Sequence, residues 1–221
     1  MRPSLLLCCV ALVSILVQRT FAQSLPSSTS VGVRFMNAAL NLPSADIFLD
    51  GKKVSGSLGY TRITPYQALP SGSHRIRVRP SGQTQLWVAK TFLLPPGARY
   101  TVALLGVGGQ PTLSVFALPL DTGTADKARL SLFNFLPHVG SMDVLEPDFL
   151  GAAVKKGLTY SSAASRTFIP RPQRLKVVSS GKATSLLSVP RFVPVANHAY
   201  SVFLLGQKSS SGLIAVQVED R

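Results

Sequence analysis

The feature that most limits the fold of this chain is an internal repeat. Val33-Arg34-Phe35-Met36-Asn37 recurs as Leu130-Ser131-Leu132-Phe133-Asn134, and Asp46-Ile47-Phe48 recurs as Asp143-Val144-Leu145, both at an offset of 97. Leu58-x-Tyr60-Thr61 returns as Leu158-x-Tyr160-Ser161, and Leu69-Pro70 as Ile169-Pro170, both at an offset of 100. Ile76-Arg77-Val78 returns as Leu175-Lys176-Val177, and Tyr100-Thr101-Val102-Ala103-Leu104-Leu105-Gly106 as Tyr200-Ser201-Val202-Phe203-Leu204-Leu205-Gly206. The order is shared and the offsets drift by only a few residues, as expected of a duplicated structural unit. The seam is the polar run 121–126.

Each unit has β-type signals. Short runs of Val, Ile, Leu, Phe and Tyr alternate with Gly, Pro, Ser and Asp clusters at intervals of roughly ten residues. Ala45 to Asp50, then Gly51-Lys52-Lys53-Val54, predicts a hairpin on an Asp-Gly turn. Ser73 to Arg79 alternates, with Ile76 and Val78 on one face and Arg75, Arg77 and Arg79 on the other. Further strands are expected over Gln85–Phe92, Arg99–Gly106 and Leu113–Leu118. With 16 prolines and 17 glycines, little room is left for helices. The fold expected is all-β: two tandem immunoglobulin-like or transthyretin-like antiparallel β-sandwich domains.

The first 22 residues read as a signal peptide. Arg2 gives a positive start, Leu5 to Val17 an apolar stretch, and Thr20-Phe21-Ala22 a cleavage-like site before Gln23. That stretch is 13 residues long, short of the roughly 20 that a spanning helix needs. A cleaved signal, rather than a retained anchor, is therefore expected, and with it a secreted protein at a cell surface or matrix. The expected order is signal peptide 1–22, linker 23–30, first sandwich 31–120, linker 121–127 and second sandwich 128–221. Both cysteines, Cys8 and Cys9, lie in the signal, so the mature domains must be stable by burial alone.

The chain carries 23 basic and 9 acidic residues. Loss of Arg2 and Arg19 leaves a mature net charge near +12. Such a balance suits acidic polysaccharide, an anionic lipid surface or nucleic acid. It also suits the plainer role of keeping a secreted protein soluble.

Val33-Arg34-Phe35-Met36-Asn37-Ala38, Pro43-x-Ala45-Asp46-x-x-x-Asp50-Gly51, Tyr66-x-x-x-Pro70-x-Gly72 and Pro96-Gly97-x-x-Tyr100-Thr101-Val102 together resemble the secreted domain-of-unknown-function family numbered 4397. The resemblance runs from Val31 to about Leu118 and returns more weakly from Ala128 to Val218. In the second copy Pro147 stands at the turn position of Asp50, and Pro172 at that of Gly72. The family implies secreted or surface-attached sandwiches, often in tandem, and brings no agreed activity.

Asp46, Asp143, Asn37 and Asn134 stand at strand ends beside turns, where short polar side chains fasten loops. Tyr100 and Tyr200 follow corners and suit the corner-fixing tyrosine of immunoglobulin-type domains.

No catalytic, cofactor or metal constellation emerges. His74, His138 and His198 lack metal-ligand spacing and read as surface or loop residues. No Gly-x-Ser-x-Gly elbow is present, and Glu146 with Asp148 makes a poor glycosidase pair. The candidate site is basic: Arg75, Arg77 and Arg79 in a row, with Arg171, Arg174 and Lys176 as the second unit's counterpart. Guanidiniums along a strand match sulfate, phosphate or uronate groups repeated along a polymer; the alternative is a solvated outer face. Trp87, the lone tryptophan, either stacks on a sugar ring from an exposed face or packs into the core.

The expected function is a non-enzymatic binding or structural module, with an acidic polysaccharide or other polyanion as partner. A protein-interaction module that recruits a surface protein is the second reading. A hydrolase is the third, and would need clustered titratable groups in a pocket. Oligomeric state is not readable from the sequence.

Overall fold

The computed structural model describes residues 29–40, 42–107, 110–120, 125–148, 151–182, 184–206 and 212–220. The expected signal peptide, most of the first linker and positions 121–124 of the seam lie outside the described residues.

The first half comprises β1 (Ser30–Asn37), β2 (Ala45–Leu49), β3 (Lys52–Leu58), β4 (Gln67–Pro70), β5 (Gly72–Pro80), β6 (Val88–Leu94), β7 (Ala98–Val107) and β8 (Gln110–Pro119). The second comprises β9 (Ala128–Asn134), β10 (Met142–Glu146), β11 (Ala152–Leu158), β12 (Ser162–Phe168), β13 (Gln173–Ser179), β14 (Ser185–Phe192), β15 (Ala199–Gly206) and β16 (Leu213–Asp220). The sheets β3-β2-β5-β6 and β4-β1-β7-β8 make one sandwich; β11-β10-β13-β14 and β12-β9-β15-β16 make the other. Every strand of the second half takes the place of the strand eight before it. The expected hairpin forms on Asp50 and Gly51, both at positive φ (48° and 91°), as a two-residue mirror-image turn requires.

One pairing in each half departs from an all-antiparallel sandwich. β1 runs parallel to β7, and β9 runs parallel to β15. Parallel neighbours need a long crossover, and here the chain makes it by passing through the facing sheet. The Gln85–Phe92 strand also starts later than expected, at Val88.

The repeated polar residues fasten the same points in both halves. Asn37 donates from Nδ2 to the Leu58 carbonyl (2.8 Å) and accepts from the Ala39 N–H (3.0 Å). Asn134 does the same with Leu158 (3.0 Å) and Leu136 (2.9 Å). The Tyr100 hydroxyl donates to the Pro95 carbonyl (2.6 Å), whereas the Tyr200 hydroxyl accepts from the Val195 N–H (2.9 Å). Both tyrosines fix a corner five residues upstream.

Burial explains the long apolar runs. On β1 and β7, Val33, Phe35, Tyr100, Val102 and Leu104 fill the first sandwich. Their neighbours Met36, Ala103 and Leu105 point the other way, into a third core shared with Phe133, Phe135, Phe203 and Leu205 of the second half. The two inner sheets therefore pack face to face, and the molecule is a stack of four sheets: outer, inner, inner, outer. Strands buried on both faces lose polar alternation. Phe116, Phe133, Phe135 and Phe203 form the aromatic centre of this middle layer, with Phe133 and Phe203 stacked at 4.4 Å.

One ion pair is sealed inside the layer. Arg34 on β1 pairs with Asp220 on β16, with both side chains almost wholly buried. Arg34 also donates from Nε to Thr101 Oγ1 (2.9 Å) and from one terminal nitrogen to Ser201 Oγ (2.7 Å). Ser201 in turn donates to the second Asp220 oxygen (2.7 Å). The guanidinium lies over Tyr66 at 4.5 Å and near Phe203 at 5.3 Å. Every charge is met, which is the condition for burying ions at all.

Asp220→Ala leaves Arg34 charged and unpaired in this layer, and is expected to cost about 3–5 kcal/mol. Urea unfolding checks this. The double variant Arg34→Met/Asp220→Leu should recover most of the loss, because both charges are then gone.

Candidate functional site

The outward face of the first half is built on β5. Ile76 and Val78 are fully buried in the first core. Alternation then forces Arg75, Arg77 and Arg79 outward, roughly 6.6–6.8 Å apart along the strand. Arg75 is exposed, while Arg77 and Arg79 are half-buried. The cross-strand partners of Arg75 and Arg77 are small or apolar: Thr91 beside Arg75, and Ala89 and Phe48 on either side of Arg77. The Arg79 guanidinium lies 5.0 Å over the Phe48 ring, a packing that anchors it more than its neighbours. Among the described residues, neither Arg75 nor Arg77 forms a salt bridge.

Asp46 sits opposite Arg79 but is engaged elsewhere. It takes Lys53 Nζ at 2.7 Å, the Ser57 N–H at 2.9 Å and the Ser81 hydroxyl at 2.9 Å. Burial pushes its carboxyl up, and these donors outweigh burial and hold it at about 2. Asp143 holds the equivalent place with the Gly157 N–H (2.9 Å) and the Ser180 hydroxyl (2.6 Å).

His74 corrects the expectation of a surface histidine. It is a buried residue of β5, bonded through Nδ1 to Asp50 (2.7 Å) and through Nε2 to the Pro70 carbonyl (2.8 Å). Asp50 also accepts the Arg75 N–H at 2.8 Å, so the turn, the histidine and the start of the arginine row are one unit. His138 and His198 are exposed as expected, and His198 faces Glu219 at 2.7 Å.

The second half differs at its outer face. Arg171 grips Glu146 with two bonds, at 2.9 and 2.8 Å. Arg174 grips Asp148, with its shortest contact at 2.5 Å. Asp148 also accepts the Arg174 N–H (3.2 Å), as Asp50 does for Arg75. The turn aspartate is therefore kept, at Asp148 rather than at the Pro147 position, because the β10–β11 turn is longer than its counterpart. An offset of 98 between Asp50 and Asp148 was a readable sign of this. Lys176 is half-buried on the same face as Arg174.

Two shallow concavities flank Arg174. One, of about 580 Å³, is lined by Asp148, Pro172, Arg174 and Arg191. The other, of about 410 Å³, includes Pro147, Lys176, Ser185 and Ser188. Arg191 had no part in the sequence reading. It is brought beside Arg174 by a register shift between β13 and β14, where Gln173 faces Phe192 but Leu175 faces Val189. The extra residue is a bulge, which re-aims side chains. Trp87 packs half-buried against the first core while Leu86 beside it is exposed, so its ring serves packing first. Among the described residues, no group of three or more His, Cys, Asp or Glu gathers as a metal site, and no helix is long and apolar enough to cross a membrane.

A model of the family described as "Domain of unknown function (DUF4397)" matches residues 31–145. No curated protein matches the chain in sequence. Two solved structures show distant likeness. One is the carbohydrate-binding module CBMbc, of family CBM26, from Eubacterium rectale Amy13K in complex with maltoheptaose (11% identity, 86% of this chain and 97% of that one, TM-score 0.28). The other is a putative cell adhesion protein from Bacteroides uniformis (7% identity, 86% and 98% coverage, TM-score 0.22). Scores this low carry no functional information.

The His74–Asp50 pair sets a pH window. Burial lowers the His74 value, but Asp50 and the Pro70 carbonyl outweigh it and raise it above 6.5. The His74 hydrogen bond holds Asp50 below 3.8 against its burial. The histidine's contribution to stability is complete below about pH 6.5 and fades as pH rises through its raised native value. The aspartate's is complete above about pH 4 and fades as pH falls through its lowered one. Titration of His74 by NMR should give a midpoint above 6.5, and His74→Gln should remove the alkaline part of the unfolding profile.

Proposed function

The chain belongs to the DUF4397 family, and we propose that it is a non-enzymatic extracellular binding module for acidic polymers, made of two tandem copies of the family's domain, the second divergent. One observation carries the binding reading. Among the described residues, Arg75 and Arg77 stand outward on a central strand with no acid partner, in a chain of net charge +14. Like charges on one strand face are destabilising when nothing counters them. An anionic polymer relieves that repulsion, and guanidinium binds sulfate, phosphate or carboxylate through paired hydrogen bonds.

The strand is well suited to the task. Its inward residues are locked in the core, so the row is held in place before binding and little ordering entropy is lost. The signal-like N-terminus supports delivery to the cell exterior, where acidic polysaccharides are the accessible polyanions. The equivalent topology of the halves and the shared Asn, Asp and Tyr fasteners support the tandem reading. A binding role also accords with the outer faces, where the carboxylates Asp46, Asp50, Glu146 and Asp148 each hold a cationic partner rather than pairing for acid–base work.

The test is elution from immobilised heparin or polygalacturonate in a salt gradient. Arg75→Ser/Arg77→Ser should elute earlier, and the slope of log affinity against log salt should fall by about 2, close to one per lost contact. An unmoved elution point sinks the reading.

A further inference from the structure

We propose that the protein bridges two acidic polysaccharide chains, because its two basic faces lie on opposite outer sheets of one four-layer stack. The inference rests on the acidic-polymer reading and adds a second site and a geometry to it.

The second site is the cleft around Arg174. Its carboxylate, Asp148, is gripped by Arg174, whose hydrogen bond holds it below the usual carboxylate range, and the charge of Arg191 adds to that lowering. Arg174 and Arg191 share one concavity with that single acid, and Lys176 lines the adjoining one with Ser185 and Ser188. Three cations against one carboxylate leave a net positive cleft with hydroxyl donors beside it. Its volume of about 580 Å³ is within the range of small-ligand sites. A uronate or sulfated sugar unit fits this chemistry: an anionic group for Arg191 and Lys176, and ring hydroxyls for the serines. Pro190 and the bulge keep this edge of the sheet from pairing with another strand, which leaves the cleft open.

The geometry follows from the packing. Arg75 and Arg77 face away from the first core on sheet β3-β2-β5-β6, and Arg174 and Lys176 face away from the second core on sheet β11-β10-β13-β14. Between them lie both inner sheets and the shared middle core. Three sheet-to-sheet spacings of about 10 Å each put the two faces roughly 30 Å apart and pointing in opposite directions. A stiff polymer strand on one face cannot reach the other without wrapping round the molecule. Occupying both faces therefore joins two strands, and the buried Arg34–Asp220 contact keeps the faces in fixed opposition.

The experiment uses the full chain and two probes: a short oligogalacturonate for site counting, and long polygalacturonate for light scattering. Wild-type protein should bind two oligomers and raise the scattering of the long polymer, with scattering falling again in protein excess as every strand becomes singly occupied. Arg75→Ser/Arg77→Ser and Lys176→Ser/Arg191→Ser should each bind one oligomer and fail to cross-link; both keep the Arg174–Asp148 pair and the cores intact. Two results overturn bridging while leaving the binding module standing: one oligomer bound by wild type, or cross-linking that survives in either variant. Absence of any binding by wild type overturns the binding reading itself. A preference for a single-stranded oligonucleotide of matched charge over the oligogalacturonate overturns the polysaccharide assignment.

Discussion

The structure depends on a buried, fully satisfied contact between its two halves. Arg34 enters the middle layer from the first inner sheet, and Asp220 from the last strand of the second. Thr101 and Ser201 complete the network. Removing such charges from water is costly, and only complete pairing offsets it. The surrounding aromatic core supplies the net stabilisation, since Phe133 and Phe203 are fully buried and stacked. The ion pair joins the two halves directly, from β1 to β16.

That constraint explains how the remaining surface is divided. Once the inner sheets cover each other, the broad sheet faces left to solvent are the two outer ones. Both carry cations on their central strand, but with different partners. Among the described residues, the first half gives Arg75 and Arg77 no salt bridge, whereas the second gives Arg171 and Arg174 carboxylates of their own. The two halves thus share strand order and fasteners and differ in how their exposed cations are paired. The fasteners matter to the fold because each satisfies buried backbone groups. The exposed charges are each worth little to the fold.

Much of the fold was legible because its signals are local. The Asp50-Gly51 turn, the alternation of Ile76 and Val78 with the arginines, and the corner tyrosines Tyr100 and Tyr200 depend on residues within a few places of one another. The site was legible only in part. Period two placed Arg75, Arg77 and Arg79 outward, but it could not show that Arg171 would find Glu146, 25 residues away. Nor could it show that a bulge would turn Arg191 towards Arg174. His74 reads in the sequence as a surface or loop residue, because the turn aspartate it pairs with lies 24 residues away.

By itself the sequence determined that the chain is β-rich, where its turns and strand faces lie, and the sign of its charge, all of which follow from residue type and short-range spacing. Tertiary structure alone decided that β1, β7, β9 and β15 are buried on both faces, that the halves share a core, and that the basic faces oppose each other. An apolar run reads the same whether it covers one core or two. Only the packing of sheet on sheet, and the pairing of charges distant along the chain, distinguishes them.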